Sequence, residues 1–206
     1  MQPAIDHLLK DPTLRPLIRQ IDLPERSSSG DVYIDLLRAI VSQQLSTKAA
    51  STIYGRFLDL FSERKVEPNH LLSLDLETLR SVGLSKQKAT YIQNVTVYFL
   101  EHGLFSVDWN DYSDDALIKL LTEIKGVGVW TVEMILISSL RRPDIFPIGD
   151  LAIRKAIIQL YHLESTGKQL TSDLMEVASR WQPHRTLACR YLWFYYTHQK
   201  DILIED

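Results

Sequence analysis

One carboxylate in this sequence lies where a loop ends and a helix begins. Asp150 ends the segment Phe146-Pro-Ile-Gly-Asp150, and the helical pattern Leu-Ala-Ile-Arg-Lys-Ala-Ile follows directly. A helix N-terminus stabilises an anion, so a carboxylate held there can act on a centre that develops positive charge. An aspartate at this position is also a common helix cap. Taken alone, the residue fits either role.

A glycine-rich turn upstream of Asp150 can bind an anion of its own. In Leu120-Leu-Thr-Glu-Ile-Lys-Gly-Val-Gly-Val-Trp-Thr131 one helical pattern runs into Lys125-Gly-Val-Gly128, and a second helical pattern follows. Glycine allows a tight reversal because it adopts positive φ at little cost. The first N–H groups of the second helix then point outward and suit a DNA phosphate. A plain interhelical turn with a glycine cap is the alternative.

The elements that carry these residues are predicted to be helices. Apolar residues repeat with helical spacing in 33–41 and 49–61, and Ser46 between them is a candidate N-cap. Similar patterns occupy residues 89–99, 117–124, 132–139, 152–160, 174–181 and 186–196. There is no Asn-Gly hairpin and no sustained alternation of apolar and polar residues. We predict an all-α fold, with short loops at Glu67-Pro68 and Arg142–Gly149.

Composition excludes several classes of protein. The net charge of −3 argues against a general polyanion-binding surface, so a nucleic acid would be held by a local feature. Cys189 is the single cysteine, which excludes disulfide scaffolds and cysteine-ligated clusters, and the six histidines lack metal-ligand spacing. The sequence has neither a signal-peptide pattern nor an apolar run long enough for a membrane span. We expect a soluble intracellular protein.

The glycine-rich turn is part of a longer pattern. With Ile124 and Val127 as its apolar anchors, Leu-x-x-Ile-Lys-Gly-Val-Gly-x-Trp-Thr resembles the helix-hairpin-helix signature of DNA repair proteins. Hairpin, Gly/Pro-containing loop and Asp150 at this separation resemble the HhH-GPD superfamily of DNA glycosylases. Three further segments resemble its 3-methyladenine DNA glycosylase II branch: Leu37-Arg-Ala-Ile-Val-Ser-Gln-Gln-Leu-Ser-x-Lys-Ala-Ala50, Val82-Gly-Leu-Ser-x-x-Lys-Ala89 and Trp181-x-Pro-x-Arg-x-x-Ala-x-x-Tyr-Leu-Trp193.

The resemblance implies an architecture. It is a two-lobed helical fold with a helix-hairpin-helix and an active-site cleft between the lobes. We expect residues 1–206 to form one compact glycosylase unit, with the hairpin at about 114–140 and the Gly/Pro–Asp loop at 143–150. The extra N-terminal domain of some relatives is expected to be missing, and the lobe boundaries are not predicted.

The resemblance also implies a reaction. Such enzymes flip a damaged nucleotide out of the duplex and cleave its C1′–N bond through an oxocarbenium-like transition state. Asp150 would stabilise that positive charge and orient or activate the attacking water. In relatives that also cut the strand, a lysine just after the hairpin attacks C1′. Trp130 occupies that position here, so we predict a monofunctional glycosylase that leaves an abasic site.

Trp130 is also expected to recognise the base. Alkylation at N3 of adenine or N7 of guanine makes the base cationic, and a cationic ring stacks well on an indole. By resemblance, Met134 and His184 line the same pocket, although relatives often carry aromatic residues at both positions. Packing of the hairpin is the alternative role for Trp130, and a surface turn position is the alternative for His184.

The resemblance implies two DNA-binding elements. One is the hairpin, and the other is the turn between the first two predicted helices, where Gln44 or Leu45 is expected to fill the space that the flipped base leaves. Leu45 could instead be a hydrophobic staple for the next helix. The expected DNA-binding residues are Lys125, Gly126, Val127, Gly128, Thr131, Gln43, Gln44, Leu45 and Ser46.

Cofactors, partners and location follow from the same resemblance. No cofactor is required, and neither zinc nor an iron–sulfur cluster is expected. Related hairpins often hold Na⁺ or K⁺ through main-chain carbonyls, here those of Thr122, Ile124 and Val127. The expected partner is double-stranded DNA with damaged bases, bound by a monomer in a bacterial cytoplasm or a eukaryotic nucleus.

Two other functions stay open on sequence alone. One is a non-catalytic helix-hairpin-helix DNA-binding module, which would not need Asp150, Trp130 and the Gln-Gln-Leu turn together. The other is a glycosylase for oxidised or deaminated bases, with the same fold and a different base pocket.

Overall fold

The computed structural model describes residues 2–25 and 28–199, and within these ranges the secondary structure is helical, without a β-strand. The α-helices are α1 (Gln2–Leu8), α2 (Leu14–Gln20), α3 (Val32–Ser42), α4 (Thr47–Leu58), α5 (Pro68–Ser73), α6 (Leu76–Ser81), α7 (Lys86–Glu101), α8 (Asp114–Thr122), α9 (Val129–Ser138), α10 (Leu151–Leu160), α11 (Gly167–Ser179) and α12 (Arg185–Thr197). The predicted all-α class is confirmed. In the described part of the chain, no helix combines the length and apolar character that crossing a membrane requires.

The chain divides into two compact units. The central unit is the continuous segment Ser28–Leu140, which contains α3 to α9. The terminal unit combines Met1–Ser27 with Arg141–Asp206 and contains α1, α2 and α10 to α12. The two ends of the chain therefore contribute to one unit, and the middle of the chain forms the other.

The core of the central unit is built on α3 and α7. Leu36, Leu37 and Ile40 on α3 are fully buried, as their helical spacing predicts. Helix α7 packs against α3, α5 and α6, and α9 packs against α8 and α3. The hairpin helices and the turn after α3 are thus attached to the same core.

A buried carboxylate joins the two ends of the central unit. Asp35, in the first turn of α3, accepts hydrogen bonds from the hydroxyls of Ser28 at 2.8 Å and Ser29 at 2.9 Å. It also accepts one from the Ser139 hydroxyl, just beyond α9, at 2.6 Å. Buried charges need such partners. The Asp35 side chain therefore holds the first residues of the central unit next to a residue just before its end.

The terminal unit packs α12 against α10 and α2. Its centre is the fully buried Trp181, which contacts the rings of Phe146 and Tyr161 edge-on or tilted. Leu8, Leu14 and Leu17 of the first two helices belong to the same apolar cluster. The N-terminal helices are therefore part of this core.

Asp11, between α1 and α2, is the polar centre of that core. It is buried and caps α2 by accepting hydrogen bonds from the main-chain N–H groups of Thr13 and Leu14. Its second oxygen accepts the Tyr161 hydroxyl at 2.7 Å and the Trp181 indole N–H at 3.0 Å. Burial and the charge of Asp11 raise the pKa of Tyr161, so this hydroxyl stays a donor.

The structure confirms the longer predicted helices and corrects one loop. Ser46 caps α4 by accepting the Ala49 N–H, as predicted. The predicted loop at Glu67-Pro68 is confirmed at Glu67, but Pro68 is the first residue of α5, a position that needs no N–H donor. Helices α1 and α2 were not predicted, since each has only 7 residues and too few turns to establish a period.

Candidate active site and DNA-binding elements

Asp150 is the N-cap of α10, and its carboxylate is held from two sides. Oδ1 accepts the Ile153 main-chain N–H at 3.0 Å and the indole N–H of Trp193, on α12, at 3.1 Å. The side chain is only 7% exposed. The carboxylate is therefore fixed in orientation at a helix N-terminus, where the helix dipole favours a negative charge. Capping and a catalytic role are compatible at this residue.

The loop that delivers Asp150 is itself anchored to α12. Asp144 forms a bidentate ion pair with Arg185, with nitrogen–oxygen distances of 2.8 and 2.9 Å. Thr186 donates its hydroxyl to the Arg142 carbonyl at 2.7 Å and accepts the Ile145 N–H at 3.0 Å. A paired guanidinium and carboxylate form a strong, oriented contact, so the start of the loop is rigidly placed.

The hairpin is the turn between α8 and α9. Val127 donates its N–H to the Ile124 carbonyl at 3.0 Å, and both side chains are buried. Gly126 has a φ of +109°, and a Cβ at this position would lie 2.2 Å from the Tyr91 ring. Only glycine fits a positive φ together with so close an approach. The turn is therefore packed onto α7 at Gly126, where a side chain would collide with Tyr91.

Not every predicted hairpin residue offers its side chain to solvent. Lys125 and Gly128 are exposed, whereas Val127 and Thr131 are buried. Gly128 is the N-cap of α9, so the first N–H groups of that helix follow an exposed glycine. This geometry fits an anion site made of main-chain N–H groups.

The Gln43–Ser46 turn between α3 and α4 has three exposed residues, of which Ser46 is engaged in capping α4. Gln44 and Leu45 are exposed, and Gln44 has a φ of +57°, a left-handed conformation that costs a non-glycine residue about 1 kcal/mol. Ser46 is engaged as the cap of α4, and the Gln43 amide donates to the Gly126 carbonyl at 3.4 Å. Gln44 and Leu45 are thus the two candidates for insertion into DNA.

The predicted base-pocket residues have different surroundings. Trp130, in the first turn of α9, is 47% exposed, and Met134 lies one turn further along the same helix face, half-buried. His184 lies just before α12, half-buried, with its ring 5.5 Å from that of His7. Trp130 and Met134 thus share a face in the central unit, while His184 is a turn residue of the terminal unit.

A model of the HhH-GPD superfamily of base excision DNA repair proteins matches residues 37–181. This chain belongs to that superfamily. It is 34% identical over 174 residues to DNA-3-methyladenine glycosylase 1 of Schizosaccharomyces pombe, covering 82% of this chain and 75% of the relative.

Two solved structures resemble this chain closely. One is the 3-methyladenine DNA glycosylase of S. pombe in complex with abasic DNA, with 31% identity, a TM-score of 0.83 and coverage of 98% of this chain and 100% of that one. The other is a DNA-3-methyladenine glycosidase of Bacillus halodurans, with 33% identity, a TM-score of 0.79 and coverage of 97% of this chain and 91% of that one.

The hairpin cation is predicted on the main-chain carbonyls of Thr122, Ile124 and Val127, and the structure describes the hydrogen bonds of several carbonyls at this turn. Asn94 donates to the Lys125 carbonyl at 3.1 Å and Gln43 donates to the Gly126 carbonyl. Of the three predicted ligand carbonyls, that of Ile124 accepts the Val127 N–H at 3.0 Å. Carbonyl oxygens are hard ligands that suit hard cations, and a Na⁺ or K⁺ ion at this turn stays a prediction.

Sequence reasoning missed the residues that hold the site in place. Trp193 and Arg185 lie in the segment that carries the family resemblance, but their partners, Asp150 and Asp144, are about forty positions earlier in the chain. Lys88, which binds the turn after α3, was missed in the same way. Their position in segments that resemble the superfamily was the only sequence signal of their roles. Contacts between distant segments depend on helix packing, which a local pattern does not specify.

Proposed function

We propose that this chain is a monofunctional DNA glycosylase that removes alkylated, cationic bases of the 3-methyladenine and 7-methylguanine type from double-stranded DNA. The observation that carries the proposal is Asp150, a buried carboxylate fixed at the start of α10 in a chain of the base excision repair superfamily. The named relatives, DNA-3-methyladenine glycosylases, support the same reaction.

The chemistry begins with departure of the base. As the C1′–N bond breaks, its electron pair goes to the base, which leaves neutral because it was cationic, and positive charge develops on the sugar. The Asp150 carboxylate stabilises this charge. It also orients water for attack on C1′ and takes up the proton that the water releases. The product is an abasic site in an intact strand.

Trp130 is the reason that the proposed reaction stops at the abasic site. An indole has no nucleophilic amine, so the residue cannot form the Schiff base through which a lysine at this position would lead to strand cleavage. Its half-exposed ring, with Met134 on the same helix face, offers a stacking surface for a cationic base. We propose His184 as a third lining residue from the turn before α12.

The hairpin and the Gln43–Ser46 turn are the proposed DNA-binding elements. Main-chain N–H groups after Gly128 would hold a phosphate, and Lys125 would add a positive charge. A Na⁺ or K⁺ ion on the carbonyls of Thr122, Ile124 and Val127 would supply positive charge for the same phosphate. Val127 and Thr131, whose side chains are buried, would take part through their main chains. We propose that the protein acts as a monomer on genomic DNA, in a bacterial cytoplasm or a nucleus.

Asp150→Asn is the variant that tests the mechanism. Asparagine caps a helix as well as aspartate does, so α10 is retained while the charge is lost. We expect excision of 7-methylguanine from a duplex, measured by alkaline cleavage at the abasic sites, to fall about a hundredfold or more. Release that continues unchanged in this variant would contradict the mechanism.

Two controls address the alternatives. Borohydride trapping of a covalent complex, or strand cleavage without alkali, would contradict the monofunctional assignment. If the unsubstituted protein binds an abasic duplex but releases no alkylated, oxidised or deaminated base, the function is DNA binding alone. Release of oxidised or deaminated bases in preference to alkylated ones would move the protein to another substrate class.

A further inference from the structure

Helix α7 reaches both proposed DNA-binding elements through polar side chains. The Lys88 ammonium donates to the carbonyls of Val41 at 2.8 Å and Gln43 at 2.7 Å. Two turns further along, Asn94 donates to the Lys125 carbonyl at 3.1 Å. One rigid helix therefore binds the main chain of the Gln43–Ser46 turn near one end and the main chain of the hairpin near its middle.

Lys88 is placed as an internal support. Its side chain is half-buried, and burial lowers the pKa of its ammonium group. The charge lies at the C-terminus of α3, where the helix dipole is negative and the last carbonyls lack partners within the helix. Two of its three N–H donors are used by these carbonyls, which distinguishes it from a surface lysine that meets phosphates.

The Gln43–Ser46 turn has a strained conformation that its neighbours must stabilise. Gln44 has a left-handed φ of +57°, and Gln44 and Leu45 are exposed. A strained conformation persists only when its surroundings fix it. Lys88 fixes the main chain on one side of Gln44, and the Ser46 cap of α4 fixes the other side.

The turn and the hairpin are also joined directly. The Gln43 side chain donates to the Gly126 carbonyl, and Tyr91 of α7 packs against Gly126 itself. The Gln43–Ser46 turn, the hairpin and α7 thus form a closed set of contacts within the central unit.

We propose that Lys88 is a positioning residue for base opening, and that α7 sets the distance between the hairpin that holds the phosphate and the turn that enters the duplex. This rests on the proposed function, in which that turn inserts a side chain beside the flipped nucleotide. Lys88 itself does not touch DNA. Its loss leaves phosphate binding intact and releases the Gln43–Ser46 turn from the conformation that insertion requires.

Hydrogen exchange tests the mechanical part of the proposal in the free protein. In Lys88→Met, amide exchange in a peptide covering residues 41–47 should rise about tenfold, as expected when a hydrogen bond to a charged group is lost. A peptide covering 120–131 should stay within about twofold in this comparison. Asn94→Leu should give the opposite pattern. Unchanged exchange in 41–47 of Lys88→Met overturns the proposal.

DNA measurements test the functional part. With Lys88→Met, single-turnover excision of 7-methylguanine from a duplex should slow about tenfold, while affinity for a duplex with a tetrahydrofuran abasic analogue stays within about twofold. A 2-aminopurine base opposite the analogue should lose most of its fluorescence rise on binding, because it reports unstacking. Lys88→Arg, which keeps the charge and donors, should recover part of both signals.

Lys86→Met is the matched control. Lys86 begins the same helix, is exposed, and carries the same charge. Its loss should weaken DNA binding slightly through the missing charge, without changing the exchange of 41–47 or the fluorescence rise at saturating protein. An equal effect in both variants would mean that Lys88 acts only as a positive charge, and would overturn the proposal.

Failure of the proposed function gives a different result. If the unsubstituted protein excises no base, the glycosylase assignment fails, whereas the exchange and 2-aminopurine measurements on the abasic duplex still decide the role of Lys88. If Lys88→Met does not fold, Lys88→Gln replaces it in the exchange experiment. Unchanged exchange in that variant likewise overturns the proposal.

Discussion

At the scale of single residues, the site depends on how one oxygen atom is held. Oδ1 of Asp150 accepts one hydrogen bond from its own helix and one from the Trp193 indole. The main-chain donor, Ile153, fixes the side chain against α10, and the indole fixes its rotation. With one oxygen held by two donors, the direction of the other is set before any substrate arrives, which is the preorganisation that electrostatic catalysis needs.

Trp193→Phe should separate orientation from binding. Phenylalanine keeps an aromatic ring in the helix but removes the N–H donor, and a hydrogen bond to a charged group contributes about 2 kcal/mol. We expect single-turnover excision to fall about tenfold, with affinity for an abasic-analogue duplex nearly unchanged and the thermal midpoint lowered by about 5 °C, because the lost hydrogen bond also stabilises the folded state. A loss of affinity that equals the loss of rate would mean that the indole supports the fold rather than the carboxylate.

Asp150 could be proposed from the sequence, whereas Trp193 could not. The type of residue, the helix start and the upstream hairpin all lie within a short stretch of chain, where local patterns are informative. The Trp193 hydrogen bond depends on how α12 packs against α10, which no local pattern specifies. The same limit applies to Arg185, whose partner Asp144 lies in a different segment.

At the scale of elements, the hairpin is held by its fit against α7. Gly126 combines a φ of +109° with a Cβ position that would lie 2.2 Å from the Tyr91 ring. Gly128, two residues later, has a φ of −99° and open space around its Cβ position. The backbone conformation and the contact with Tyr91 therefore require glycine at position 126, whereas neither requires it at position 128.

Gly126→Ala and Gly128→Ala form a matched pair. The first must strain the turn and displace Tyr91, and we expect it to lower the free energy of unfolding by about 3 kcal/mol. The second should lower it by about 1 kcal/mol or less, because alanine is a poorer N-cap than glycine. Urea unfolding followed by circular dichroism measures both. Similar values for the two variants would contradict the packing account of the hairpin.

Long helices could be predicted from the sequence, whereas the shortest helices could not. Helices α3, α4 and α7 have strong apolar periods and were predicted close to their observed bounds. Helices α5 and α6 have 6 residues each, too few to show a period. Their stability comes from packing against α7, which is tertiary information.

At the scale of the whole molecule, the terminal unit depends on contacts between the two ends of the chain. Asp11 belongs to the N-terminal part, while Tyr161 and Trp181, which donate to it, belong to the C-terminal part. The sequence contained no sign of this pairing, because an aspartate near a chain end is most often exposed. The structure makes it one of the buried charged residues of the core.

Asp11→Ala should destabilise the protein strongly. It removes the cap of α2 and leaves two buried donors without an acceptor, and we expect a loss of about 4 kcal/mol in the free energy of unfolding. Tyr161→Phe removes only one hydrogen bond and leaves the Trp181 donor with its acceptor. We therefore expect a smaller loss, of about 1 kcal/mol in the free energy of unfolding. Thermal or urea unfolding would measure the difference. A loss in Asp11→Ala no larger than in Tyr161→Phe would show that the core does not depend on the carboxylate.

The central unit should fold without the rest of the chain. A fragment of residues 28–140 contains its own apolar core and the Asp35 contacts with Ser28, Ser29 and Ser139. We expect a cooperative unfolding transition by circular dichroism, shifted to lower denaturant by about 2 kcal/mol in Asp35→Ala. A non-cooperative transition in the unsubstituted fragment would contradict this independence.

The contacts of Asp35 also bear on the order of events during synthesis. The segment that opens the central unit and the residue just before its end meet at one carboxylate, so this unit is complete as soon as Ser139 has left the ribosome. Helices α1 and α2 are translated before the central unit, but α10 and α12, which complete their core, are translated after it. Translation therefore separates two folding events in time. Helices α1 and α2 must wait for α10 and α12, while the central unit between them can already be native.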